Sequence, residues 1–368
     1  MALFQPIAVG PLKLQHRVVL APLTRLRVDT KGIPILPIVK EYYSQRASVP
    51  GTLIISEATL IAAKASGFPH LPGIYSAEQI AAWKEVVNSV HAKGSHIFLQ
   101  LLALGRSAKP AALKAIDPSL ELLGPSDIPI DPTATERPRP MTVAEIDEYV
   151  QLYAQAAKTA IAAGFDGVEI HNANGCLLDQ FLQDVSNNRT DEYGGSIENR
   201  SRLTLRVLRA IADVVSEDRV AIRFSPWSPF IGMGMSDPLP TFSHVISEIK
   251  SGFPALAYLH LIEPRIAAHD TVDTTAENAS QTNAPLLDVW GTERPIVCAG
   301  GFTRESAMKL AEERPKNQLV AFGRTFIANP DLPRRLKENI PLNPYDRATF
   351  YLRGETGPTG YTDQPFAP

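Results

Sequence analysis

The chain has 368 residues, a formal net charge of −3 and a pI near 6.3, with 44% apolar and 20% charged residues. That balance offers no basic surface for nucleic acid or an anionic membrane, and the length alone leaves open two domains or one barrel with insertions. Two cysteines, Cys176 and Cys298, are too few for a disulfide framework or a zinc cluster. Met1–Gly10 shows no signal-peptide pattern, and no apolar run approaches the roughly 20 residues of a membrane span. The expectation is a cytoplasmic protein, monomer or homodimer, with no metal.

Along the chain, short β-branched runs alternate with longer amphipathic stretches. The runs are Val18–Pro22, Leu53–Glu57, His96–Leu101, Gly167–His171, Val220–Ser225, Ala257–Ile262, Pro295–Ala299 and Leu319–Gly323. Most are nearly continuous in apolar residues, as parallel strands covered on both faces should be. Helices are predicted over Ala77–Lys93, Val143–Ala163, Ile197–Val215 and Thr303–Glu313, with Ser76 and Thr303 as start signals. Eight such units favour one closed (β/α)8 barrel, an α/β fold, with an N-terminal extension and a C-terminal extension. An open doubly wound sheet is the alternative. The segment after the first run, Ala21-Pro22-Leu23-Thr24-Arg25, lacks the glycine-rich turn of a dinucleotide fold and so weighs against it.

Two segments are too long or too irregular for ordinary connections. Leu104–Arg139 is proline-rich and, within an insertion spanning about 104–142, is expected to form a lid or rim after the third strand. Phe230–Pro240 is expected over the same face, after the fifth strand.

In such barrels the chemistry gathers at the C-terminal ends of the strands. Those ends carry Thr24, Glu57-Ala58, Gln100, His171 with Asn174, Arg223, Gly300-Gly301 and Gly323-Arg324. Gln100 alone reads equally as a satisfied core amide, and His171 as a hydrogen-bonded core histidine. Arg223, between Ile222 and Phe224, is harder to set aside, because a buried guanidinium demands an anionic or polar partner. The glycines on the seventh and eighth strands, with Arg324, suit a phosphate. From the residues alone, the reading is a barrel that holds a phosphorylated ligand, a central cation and a histidine–asparagine pair.

The segment His171-Asn172-Ala173-Asn174-Gly175-Cys176-Leu177-Leu178-Asp179-Gln180-Phe181-Leu182 resembles the substrate-binding segment of the old yellow enzyme family. Asn188-Arg189-Thr190-Asp191-Glu192-Tyr193-Gly194-Gly195-Ser196 continues the likeness, which runs through most of the chain. The nearest character is that of fungal members serving secondary metabolism. The resemblance implies noncovalent FMN, with Pro22, Thr24, Ala58, Gln100, Arg223, Gly300, Gly301, Phe302, Gly323 and Arg324 in contact with it. It implies that His171 and Asn174 bind a substrate carbonyl, and that Leu102, Phe68, Phe230 and Tyr351 line the pocket. The implied reaction moves hydride from NADPH or NADH, through the flavin, to the C=C bond of an α,β-unsaturated carbonyl in a bulky small molecule.

Two departures from the family pattern qualify that expectation. Cys176 stands where reductases of the family usually carry a proton-donating tyrosine. A thiol is acidic enough, with a reference pKa of about 8.5. Its sulfur, however, falls roughly 3–4 Å short of a phenol oxygen, so a space-filling role competes with a catalytic one. Leu102 replaces a frequent tryptophan and, with Ala103, widens the pocket. A redox-neutral isomerase, epimerase or cyclisation catalyst is therefore the alternative reaction, and a silent flavin-binding module the third reading.

Overall fold

Alternation along the strands explains the architecture. A computed structural model of the chain describes residues 1–368 except 269, 272–274, 276 and 277. Eight parallel strands close a barrel: β1 Val18–Leu20, β2 Leu53–Ile55, β3 His96–Leu102, β4 Gly167–Asn172, β5 Val220–Phe224, β6 Tyr258–Ile262, β7 Ile296–Ala299 and β8 Gln318–Phe322. Neighbours pair in sequence order, and β8 returns to β1 through Phe322↔Leu20. That closure excludes the open sheet.

Each strand is followed by a helix: α1 Ile38–Arg46, α2 Ala77–His91, α3 Val143–Ala162, α4 Ile197–Val215, α5 Leu239–Gly252, α6 Ala284–Trp290, α7 Arg304–Glu313 and α8 Leu332–Glu338. Three begin with capping boxes, in which Ser76 pairs with Gln79, Thr142 with Glu145 and Thr303 with Ser306. Each box satisfies N–H groups that the first helical turn leaves without partners.

One face of every strand packs against these helices. Ile97, Leu99 and Leu101 of β3, Val168 and Ile170 of β4, and Ile222 and Phe224 of β5 belong to this outer core. The opposite face points into the barrel. Its lower part is apolar, with Val19, Leu53, Ile55, Phe98, Ala221, Tyr258 and Leu319, and the N-terminal hairpin Ile7–Val9/Leu12–Leu14 packs its Ile7, Val9 and Leu14 there. The upper part carries Gln100, Glu169, His171, Arg223 and His260. The near-continuous apolar runs thus conceal a polar inner row at every second position.

Several boundaries differ from the sequence expectation. β1 stops at Leu20, since Pro22 has no N–H for the ladder. Glu57, Ser225 and Gly323 lie in loops beyond their strands, while β3 and β4 run one residue further, to Leu102 and Asn172. β6 and β7 begin one residue later than expected, and β8 begins one earlier at Gln318. The helices α2 and α3 end at His91 and Ala162, ahead of the expected ends. The insertion after β3 holds a short helix, Pro110–Ile116, and a two-strand pair, Leu123–Gly124 with Arg139–Pro140. No helix among the described residues is long and apolar enough to cross a membrane.

Candidate active site

The C-terminal ends of the strands surround a cavity of about 740 Å³. Seventeen of the residues singled out from the sequence line it: Pro22, Thr24, Ala58, Phe68, Gln100, Leu102, His171, Asn174, Cys176, Arg223, Phe230, Gly300, Gly301, Phe302, Gly323, Arg324 and Tyr351. Ala103, expected to widen the pocket with Leu102, is buried in the outer core instead. Glu57, named with Ala58 at the end of β2, is not among the lining residues. Its carboxylate turns away and accepts from the Arg25 backbone N–H at 3.3 Å.

Register brings the polar row together. Gln100 pairs with Glu169 across β3 and β4, and Arg223 sits level with His171 on one side and His260 on the other. Gln100 Nε2 donates to Glu169 Oε1 at 2.7 Å, and His260 Nδ1 lies 2.8 Å from Glu169 Oε2. Burial works to raise the Glu169 carboxyl, but His260 and Arg223 beside it outweigh burial and hold it below its ordinary value. An ionised carboxylate only accepts, so His260 donates from Nδ1.

Arg223 is buried, and its Nε has no partner among the described residues. Burial pushes its guanidinium down from the ordinary value while Glu169 supports the charge. A buried cation of this kind, facing a cavity, suits an anionic or electron-rich occupant.

His171 and Asn174 stand at the end of β4. Burial, then Arg223, pushes the His171 imidazole down to about 3, so the ring is neutral and donates one N–H without carrying charge. His171 Nδ1 and Asn174 Oδ1 find no partner among the described residues. Asn174 is held in the left-handed region, φ 54°, with its backbone N–H on Ser225 Oγ at 2.8 Å. Asparagine tolerates that conformation better than most residues. The next residue, Gly175, also has positive φ, and a Cβ there would stand 2.4 Å from Ile231 Cγ1. The glycine lets the loop after β5 close onto the loop after β4.

That closure is secured by Arg106, from the insertion. Its Nη2 donates to the carbonyl of Gly232 at 2.9 Å, and its Nη1 to that of Ile128 at 3.1 Å. Leu104, Ser107, Phe230 and Ile231 consequently line the cavity, so the start of the insertion and the loop after β5 both contribute to its rim.

Cys176 packs with Leu60, Leu102, Leu104 and Leu113. Burial, then Asp179, pushes its thiol well above the ordinary range. It is a neutral, apolar wall.

At the far end, Gly300-Gly301 and Gly323-Arg324 follow the paired strands β7 and β8. A Cβ on Gly300 would lie 2.5 Å from the Glu263 Cβ, whereas one on Gly301 would meet nothing nearer than Arg265 Nε at 3.5 Å. The backbone is thus open to a ligand beside the Arg324 side chain, whose guanidinium lies over Tyr345 and donates to Thr271 Oγ1 at 2.9 Å. Glycine backbone plus arginine suits a phosphate. Gln100 and Arg223 suit the polar edge of a heteroaromatic ring. The cavity therefore fits a phosphate-bearing, ring-containing group, and no metal-binding cluster exists among the described residues.

The C-terminal extension supplies another wall that the sequence reading credited only to Tyr351. Arg25 donates to the carbonyls of Phe350 at 3.1 Å and Gly360 at 2.7 Å. Arg27 holds Gly357 at 2.9 Å and Thr359 at 2.8 Å, and Arg46 holds Tyr361 at 3.1 Å. These buried guanidiniums seat Tyr345, Phe350, Tyr351 and Arg353 against the cavity. Glu169 and His260 were also missed as site residues. Their signal was present, since each stands at an inward position of its strand.

A closed barrel with a polar ring at its C-terminal mouth and a glycine–arginine phosphate cradle defines a class of cofactor-dependent barrel enzymes. The NADH:flavin oxidoreductase / NADH oxidase family model matches residues 2–343, and the chain belongs to that family. It is 48% identical to the chanoclavine-I aldehyde reductase of Penicillium roqueforti, over 99% of this chain and 96% of that one. It is 47% identical to a protein of Epichloe festucae var. lolii named as a probable inactive reductase, over 99% and 95%. The structure of old yellow enzyme from Pichia sp. AKU4542 superposes with a TM-score of 0.87 at 37% identity, covering 98% of this chain and 92% of that one. The protein is a flavin-dependent oxidoreductase of the old yellow enzyme type, with FMN as cofactor and a reduced nicotinamide nucleotide as hydride donor.

Proposed function

We propose that the protein reduces the C=C bond of an α,β-unsaturated carbonyl in a bulky secondary metabolite. The observation that carries this reading is the pair His171 and Asn174 at the end of β4, which line the cavity together and leave His171 Nδ1 and Asn174 Oδ1 without a partner among the described residues. A neutral His171 N–H and the side-chain NH2 of Asn174, facing one carbonyl oxygen, would polarise a conjugated carbonyl and stabilise the charge that develops there as the β-carbon is reduced.

The same cavity carries the residues that would contact the cofactor. Gly300, Gly301, Gly323 and Arg324 would hold the phosphate, with Phe302 beside it. Thr24, Gln100 and Arg223 would take the polar edge of the ring, with Pro22 and Ala58 as apolar contacts. FMN, when bound, relays two electrons from the nicotinamide nucleotide to the organic acceptor. Arg223 would favour the added negative charge at its end of the cavity, and Glu169 supports that cation's charge. Leu102, Phe68, Phe230 and Tyr351 shape the substrate space, and Cys176 fills the wall where a longer proton donor would reach. The α-carbon then takes its proton from water.

The apolar setting of Cys176 favours a second reading, redox-neutral isomerisation or epimerisation, because slow protonation lets hydride return. Product analysis separates the two. Incubation of the holoenzyme with polycyclic enones or enals and stoichiometric NADPH should give saturated products with matching loss of NADPH. Conversion to an isomer without net NADPH loss would favour the second reading. No conversion of any conjugated carbonyl would remove both.

A further inference from the structure

We infer that Lys109 and Arg353 form a phosphate subsite at the cavity mouth that binds the distal half of the nicotinamide dinucleotide, an inference that rests on the hydride donor stated above. The two cations share one aromatic ring, each lying 5.2 Å from the centroid of Phe68. Phe68 and Arg353 line the cavity, and Lys109 opens the short helix Pro110–Ile116 beside it. Both cations are exposed, and among the described residues neither meets a carboxylate in an ion pair. The chain as a whole is acidic, so this pair is a local feature rather than a consequence of net charge.

The size of the cavity decides the class of ligand. About 740 Å³ is to be shared by the flavin and a nicotinamide ring. The rest of a dinucleotide must leave through the mouth, where exposed lining residues mark the exit: Tyr351, 45% exposed, and Arg353. The phosphates are the part of the donor that then meets this rim. Phe68 gathers the two cations at this rim through its ring quadrupole, and a phosphate arriving there meets them with charge-assisted contacts. The same ring offers an apolar surface to the adenine or ribose. The phosphate has two sources, the pyrophosphate of either nucleotide or the 2′-phosphate of NADPH.

The oxidised holoenzyme is titrated with NADP⁺, NAD⁺ and nicotinamide riboside, which carries no phosphate, and anaerobic reduction is followed with their reduced forms. In the Lys109→Ala, Arg353→Ala double variant, the Kd for NADP⁺ should rise about tenfold. The limiting rate of reduction at saturation should fall no more than twofold, and binding of the riboside should not change. Salt should weaken NADP⁺ binding in the unmodified enzyme and do so less in the variant. A loss confined to NADP⁺ assigns the 2′-phosphate, and a loss shared with NAD⁺ assigns the pyrophosphate; either supports the subsite. Lys109→Arg, which keeps the charge, should retain affinity. An unchanged Kd for both dinucleotides, or an equal loss with the phosphate-free riboside, overturns the subsite. A persisting Kd shift in an enzyme that no nicotinamide reduces would instead overturn the hydride-donor reading and leave the phosphate site standing.

Discussion

Glu169 and His260, both fully buried, meet inside the barrel with Oε2 and Nδ1 2.8 Å apart, directly beneath the cavity. With Gln100 on the other carboxylate oxygen, this contact makes Glu169 the internal counter-charge for Arg223.

Glu169→Gln removes that counter-charge and leaves Arg223 buried without an anion. Leaving a buried cation without its neighbouring anion is unfavourable, because the desolvated charge loses its compensation. The FMN-free protein should show a clear fall in Tm, and FMN should restore part of it if it supplies electron-rich atoms to Arg223. An unchanged Tm would show that Arg223 finds its compensation elsewhere.

Arg223→Met and His171→Ala should separate cofactor from substrate. The first removes the cation from the ring-binding end, so FMN affinity should fall about tenfold or more and reduction by NADPH should slow. The second should spare FMN content and reduction by NADPH, while weakening phenolic ligands that place an oxyanion at the carbonyl site. Equal loss of flavin from both variants would refute this division.

His171 also gives a sign to the pH dependence. Its folded pKa of about 3 lies below the unfolded value of 6.5. The folded state thus excludes a proton that the unfolded chain accepts. Stability attributable to this group is complete above 6.5 and is lost as pH falls toward 3. Thermal melts of the FMN-free protein between pH 7 and 5 should show Tm falling with pH, with a shallower slope in His171→Gln. Parallel slopes would mean that His171 takes up its proton in the folded state.

Cys176→Ala should change turnover by less than about threefold, because a neutral, buried thiol is a poor acid. Loss of a true general acid would cost roughly 10²-fold or more. The readout is the oxidative half-reaction of pre-reduced enzyme with one small enone. Cys176→Tyr should speed that step if the missing phenol limits protonation. The same rate in all three proteins would leave pocket shape as this position's sole contribution.

Much of the site was legible because strand ends in a barrel converge on one face. Once the runs ending near Thr24, Gln100, His171, Arg223, Gly300 and Gly323 are taken as parallel strands, their neighbours share a cavity, as the lining residues do. The run His171–Leu182 carried the family likeness because a local loop holds both donors. Local sequence determined these features, since strand periodicity, capping residues and a short glycine-containing loop act over a few residues.

Tertiary structure alone decided the rest. Glu169, Arg223 and His260 lie on three strands more than 30 residues apart, and only register makes them one network. Lys109 and Arg353 meet over Phe68 because the insertion and the C-terminal extension close on the same rim. Arg25, Arg27 and Arg46 are charged side chains with almost no exposure. They are buried because the backbone carbonyls of residues 350–361 wrap around them. No periodicity encodes such contacts, because long-range closure is set by where whole elements pack, not by the residues adjacent in the chain.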